Sequence, residues 1–281
     1  MAVIVKNASV RKCYFGPKIP TIGLVGYWNA ASRLSYPRVG STWFDLVQQN
    51  KNNGSMVNMS ATNFTDDGHG ALVFDGTNEI VEIPHDPSLD FGSSSFTVSL
   101  WINVTDENSS ASAGSYVIGK RGRGVLGSYA GWQIRIRNVS GTTWQIVYSG
   151  IDDGTSSQTN GTVAVNTMET KLGESGEYKW YMLTMIYDAA EGILRFVIND
   201  TSDVGITFLP SSFGSVSNTI PIEIMGTRYV NHSLGAPETI FDLATATLAN
   251  VALYDRALTV QEITDKFMAT KDLYNLGELN P

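Results

Sequence analysis

Residues 179–200 read KWYMLTMIYDAAEGILRFVIND. Two apolar runs flank the short polar break AAE, which reads as a hairpin. In the first run, Tyr181, Leu183, Met185 and Tyr187 alternate with Trp180, Met182, Thr184 and Ile186. Neither face is charged, as expected of a strand in the middle of a two-layer sandwich.

The same two-residue period recurs outward from this hairpin. SFTVSLWIN places Phe96, Val98, Leu100 and Ile102 on one face, with Thr97, Ser99, Trp101 and Asn103 on the other. GWQIRIRN sets Trp132, Ile134 and Ile136 against Gln133, Arg135 and Arg137, and TTWQIVYSG follows after the turn NVSG. That pair reads as a second hairpin, with Trp132 and Trp144 both inward. Loops such as TDENSSASAGS and DDGTSSQTNG separate the runs. Many strands, polar turns and no interleaved helices predict an all-β fold, a two-sheet antiparallel jelly-roll sandwich. Only TVQEITDKFMATKDLY reads as helix. Thr259 is placed to cap it, Glu262 to complete a capping box, and Ile263 and Phe267 share a face.

Composition bounds the function. The chain has 281 residues, 42% of them hydrophobic, and a net charge of −8. That charge argues against nucleic acid as a partner of the folded body. No apolar run approaches the ~20 residues that span a bilayer, so no membrane insertion is expected. The first residues lack the pattern of a secretory leader. The single cysteine, Cys13, leaves no internal disulfide, and no metal-type Cys/His spacing occurs. The first twenty residues carry Lys6, Arg11, Lys12 and Lys18 and no acid. Such a leader on an acidic body suits a docking arm, or a solvated terminus; charge leaves both open.

Catalytic motifs fail on context. GRGVLG (Gly122–Gly127) has the letters of a dinucleotide loop, but a strand follows where a helix N-terminus is needed. There is no G-x-S-x-G elbow and no H-E-x-x-H. LVFDGTNEIVEIPH (residues 72–85) crowds Asp75, Asn78, Glu79 and Glu82 beside His85. Asp75, Asn78 and Glu79, closed by the distant Asp242, supply part of an oxygen set for calcium. The alternative is a turn between two strands, a structural hairpin in which Asp and Asn fasten local backbone.

The order of these blocks resembles the LamG-like, concanavalin A-like lectin/glucanase jelly rolls. ALVFDGTNEIVEIPHDPSLDFGSSSFTVSLWIN resembles their opening strands and YVIGKRG…GWQIRI their second strand pair. WYMLTMIYDAAEGILRFVIND is similar to their W-x-x-x-x-x-x-Y-D hairpin, and LANVALYDRALTVQEITDKFMATKDLY to their closing strand and helix. A narrower likeness is to the version found in tailed bacteriophages. Gly23-Leu24-Val25, Tyr36-Pro37, Thr42-Trp43-Phe44-Asp45-Leu46 and Asn52-Asn53-Gly54 stand where its leading segment has such residues. Two departures matter: Ala249 and Asn250 stand where relatives carry acids, and the glucanase triplet E-x-D-x-x-E is absent.

The resemblance implies a non-enzymatic virion structural protein, a capsid decoration or other particle-surface protein assembled in the host cytoplasm. Residues 1–22 would form the arm, 23–274 the jelly roll and 275–281 a tail. Lys6, Arg11, Lys12, Tyr14, Phe15 and Lys18 would dock the arm on capsid or other virion proteins by adding a strand. The alternative is a lectin-like adhesin of tail or fibre that reads host glycans through Trp101, Gln133, Arg135 and Arg137. Calcium is the one cofactor left open, and homo-oligomers remain compatible with either reading.

Overall fold

The computed structural model describes residues 19–47, 51–104, 115–121, 130–140, 143–153, 164–171, 180–200, 203–209, 211, 213–229 and 239–274. For residues 104, 137–140, 143–150, 164–171, 203–204, 229 and 239 the description is of the backbone. The docking-arm residues, the tail and the side chains of Arg137 and Trp144 therefore lie outside it.

The strands are, in chain order, β1 (Leu24–Asn29), β2 (Thr42–Trp43), β3 (Gly54–Val57), β4 (Phe64–Thr65), β5 (Ala71–Asp75) and β6 (Ile80–Ile83). β7 (Phe96–Val104), β8 (Ser115–Arg121), β9 (Gly131–Ser140), β10 (Thr143–Asp152), β11 (Ala164–Lys171) and β12 (Trp180–Asp188) follow. The last are β13 (Ile193–Ile198), β14 (Asp203–Phe208), β15 (Ile222–Ile224), β16 (Thr227–Tyr229), β17 (Thr239–Phe241) and β18 (Thr245–Tyr254), before helix α1 (Val260–Thr270). One sheet, here sheet A, runs β14-β13-β12-β7-β18-β5-β4, with β1 also on β18. Sheet B runs β11-β10-β9-β8-β15-β6-β3-β2, and β16–β17 form a small ribbon. All pairings are antiparallel. The jelly-roll sandwich expected from the sequence is what forms.

The inward faces build one core between the sheets. Phe96, Val98, Leu100 and Ile102 of β7 and Leu183 and Met185 of β12 meet Trp132, Ile134 and Ile136 of β9. Both hairpins pair as read, β12 with β13 and β9 with β10. β12 is buried on both faces because a third layer lies outside sheet A. Helix α1 and the turn after it pack Ile263, Phe267 and Tyr274 over Trp101, Met182, Ile186 and Tyr254. The Thr259/Glu262 capping box starts that helix as the sequence indicates.

LVFDGTNEIVEIPH departs from its expected form. β5 pairs with β4 and β18 in sheet A, while β6 pairs with β3 and β15 in sheet B. The stretch is an arch between the sheets and not a hairpin. Leu72 and Phe74 on one side and Val81 and Ile83 on the other all enter the core, so the two strands face each other across it. Gly76 makes the corner at φ 76°, where a side chain would be strained.

Candidate functional site

Among the described residues, the outer face of sheet B carries a row of polar side chains whose positions follow from strand register. One cross-strand row runs Ser55, Glu82, Glu223, Gly119, Gln133, Gly150. The neighbouring rows hold Tyr116 beside Arg135, and Arg121 and Asp152 on either side of Gly131. Across Gly131, at φ 141°, the Arg121 guanidinium reaches Asp152 Oδ2 at 2.9 Å.

Most of this polarity is engaged within the protein. Arg135 is 2% exposed, and its Nη2 lies 2.6 Å from Asp242 Oδ2. The Tyr116 ring lies 5.7 Å from its guanidinium carbon. Glu223 Oε2 accepts from the Thr227 hydroxyl and Oε1 from the Arg228 N–H, both at 2.7 Å. Arg228 Nη1 reaches Glu82 Oε2 at 3.0 Å. Burial pushes the Glu223 carboxyl above its ordinary range, and the nearby Glu82 adds to this. Pattern reading along the chain missed Glu223 and Arg228. Glu223 sits in IEI, three residues without motif, and its alignment with Glu82 follows only from the pairing of β15 with β6.

Paired carboxylates on one sheet face are the raw material of glycoside hydrolysis. Here both oxygens of Glu223 already hold the start of the β16–β17 ribbon, and Glu82 holds the same ribbon through Arg228. The pair anchors a structural element. Gln133 differs: it is 2% exposed, and its Oε1 is buried without a donor.

The glycan face expected from the sequence does not come together. Trp101 lies on sheet A, whereas Gln133, Arg135 and Arg137 lie on sheet B. Because the Trp101 side chain packs on the outer side of sheet A and those of Gln133 and Arg135 belong to sheet B, no single sugar spans these three. Trp101 is also fully buried. Its indole N–H donates to Thr270 Oγ1 at 3.1 Å, and its ring stacks on Tyr274 with centroids 4.1 Å apart. The face opposite a core stripe is dry because helix α1 covers it. Gln133 and Arg135 are likewise buried rather than on a wet face. The side chain of Arg137 lies outside the described residues.

The expected calcium ligands are also drawn into other bonds. Asp75 Oδ1 accepts from the Thr77 N–H at 2.7 Å, a bond that holds its carboxyl below the ordinary range. Glu79 Oε2 accepts from the Asp75 N–H at 2.6 Å and Oε1 from Asn63 Nδ2 at 2.5 Å. The Asn78 carbonyl accepts from Asn58 Nδ2. Asp242 turns to Arg135 instead of closing this set. Among the described residues no cluster of three or more His, Cys, Asp or Glu is placed to hold a metal ion. The donor set fits a fastened arch, with N–H groups where a cation would sit.

The family follows from this architecture and from sequence together. The chain belongs to the concanavalin A-like lectin/glucanases superfamily, whose family model matches residues 75–264. By sequence, no curated protein matches it. By shape it is similar to Trypanosoma rangeli sialidase in complex with sialic acid, with a TM-score of 0.56 and 18% identity. That match covers 92% of this chain and 35% of the sialidase. It is also similar to the binding domain of Paraclostridial Mosquitocidal Protein 1, with a TM-score of 0.56 and 16% identity, covering 87% of this chain and 52% of that one. At these identities the likeness is one of fold. The chain spans about a third to a half of these structures.

Proposed function

We propose that the chain is a non-enzymatic surface protein of a tailed-phage particle, a jelly roll attached through the basic arm ahead of residue 23. The observation that carries this reading is how the leading segment, residues 23–54, is built into both sheets. β1 pairs with β18, and β2 and β3 extend sheet B. Asp45 Oδ1 accepts from the N–H groups of Tyr27 and Val47, and Asn53 Oδ1 from that of Asp45. Trp28 Nε1 donates to the Asn52 carbonyl at 3.0 Å, and Tyr36 and Trp43 are fully buried. Of these, Tyr36, Trp43, Asp45, Asn52 and Asn53 are among the residues that resemble the phage version of the fold, and each has a structural task here.

The start of the described body is held at residues 22 and 23, which supports an attachment segment ahead of them. Arg256 Nε donates to the Ile22 carbonyl at 2.9 Å, and the Asp255 N–H to that of Gly23 at 2.9 Å. A basic extended segment leaving there suits strand addition to an acidic partner sheet. The absence of E-x-D-x-x-E and the anchoring duty of Glu82 and Glu223 support the non-enzymatic reading. Removing residues 1–22 tests it: the truncated chain is expected to fold, with a melting temperature lowered only slightly by loss of the Arg256–Ile22 bond, and to fail to join particles. Incorporation at the full-length level would overturn the docking role.

A second reading, a lectin-like adhesin, is favoured by one observation, the buried Gln133 Oε1 that lacks a donor. A sugar hydroxyl could supply one only where the side chains covering Gln133 move aside, since the residue is 2% exposed. A glycan array run with and without calcium separates the readings: binding that is lost in Gln133→Ala supports the adhesin, and silence in both conditions supports the scaffold.

A further inference from the structure

Among the apolar side chains that seat helix α1 on sheet A stands a lysine. Lys266 is 1% exposed, and its Nζ is buried with no hydrogen-bond partner. The ammonium position lies 5.9 Å from the centroid of the Tyr254 ring on β18. Among the described residues, the titratable side chains of the surrounding elements are held as follows. Tyr254, Tyr27 of β1 and Tyr274 of the turn after the helix are phenols that burial pushes upward, Tyr27 to about 12. All three stay neutral through the physiological range. The Tyr27 and Tyr274 hydroxyls accept from Asn29 and Asn250. On the helix itself, Glu262 is held by Arg256 and Asp265 by Gln261. Among the described residues no carboxylate is paired with Lys266.

A buried cation without acceptor or counter-ion is costly, and the group escapes the cost by shedding its proton or by reaching water. Shedding it leaves the helix seated. Reaching water requires the helix to move, because the side chain projects from its packed face between Ile263 and Phe267, both buried. We propose that Lys266 makes the seating of α1 a proton-sensitive latch: the neutral amine lets the helix dock on sheet A, and proton uptake favours a lifted helix that bares the Trp101–Tyr274 stack.

The direction of the pH dependence follows from the environment. Burial pulls the lysine from its ordinary 10.5 down to about 7. The docked state therefore binds fewer protons than the lifted state between those values. Docking is tightest in alkali, weakens about tenfold for each unit that pH falls across that window, and levels off below it.

Hydrogen exchange of the whole chain, corrected for the intrinsic amide rate at each pH, tests the latch on peptides from 260–274 with β12 as internal reference. Between pH 9 and pH 7 the helix peptides are expected to lose about 50-fold in protection while β12 keeps its own. In Lys266→Met, a neutral side chain of similar length, helix protection is expected to be high and equal at both pH values. Equal helix protection in the wild-type chain at pH 7 and pH 9 would overturn the proposal, as would a loss shared equally by β12. The wild-type comparison stands alone should the variant fail to fold.

Discussion

Trp101 shows how a residue's role turns on partners far along the chain. Its alternation with Leu100 and Ile102 correctly puts it on the outer face of β7. The residue that receives its indole N–H is Thr270, 169 positions away, and no local pattern reveals that a helix will lie there. Arg135 and Asp242, 107 positions apart, are legible singly as an outward cation and a loop acid, but not as a pair. Two predictions belong to this scale. Trp101→Ala removes the stack and the bond, and urea unfolding is expected to register a loss of about 3–5 kcal/mol. Asp242→Asn leaves a buried guanidinium short of its counter-charge. It is expected to cost about 2–4 kcal/mol, with no change in any calcium response; a calcium-dependent shift in stability that Asp242→Asn abolishes would restore the metal reading.

At the scale of elements, helix α1 and the turns carry the sharpest expectations. Arg256 holds Glu262 well below its ordinary 4.5, at about 2. A carboxyl depressed in the folded state stabilises above its ordinary value, and that contribution is lost as pH falls from about 4.5 toward 2. Because both partners are partly exposed, the effect should stay below about 1 kcal/mol. It is expected as a shallow loss of helix protection in that window, absent in Glu262→Gln. Gly131 tests the backbone: a Cβ there would stand 2.0 Å from the Lys120 carbonyl oxygen. Gly131→Ala is expected to destabilise by about 2 kcal/mol or more, visible as a lower urea midpoint. Strands and helix were legible because their periods and caps are local. The arch at residues 72–85 was not, since a tight polar turn serves equally to pair two strands or to pass one between sheets; which of these occurs depends on β18 and β15, far along the chain.

For the whole molecule, the layering explains why the described polar residues Gln133, Arg135 and Glu223 are buried rather than on a wet face. Helix α1 covers one outer face, and ion pairs and the β16–β17 ribbon occupy much of the other. Among the described residues no helix is long and apolar enough to cross a membrane. The described body begins at a strand held to β18 and to Arg256, and the proposed virion role would need an attachment segment ahead of it. Quantitative mass spectrometry of tailed-phage particles, purified from cells that make the chain, addresses that role most directly. The account expects the chain in a fixed ratio to the major capsid protein, resistant to washing and lost when residues 1–22 are removed. Particles that form without it, and cells that retain all of it, would contradict the account.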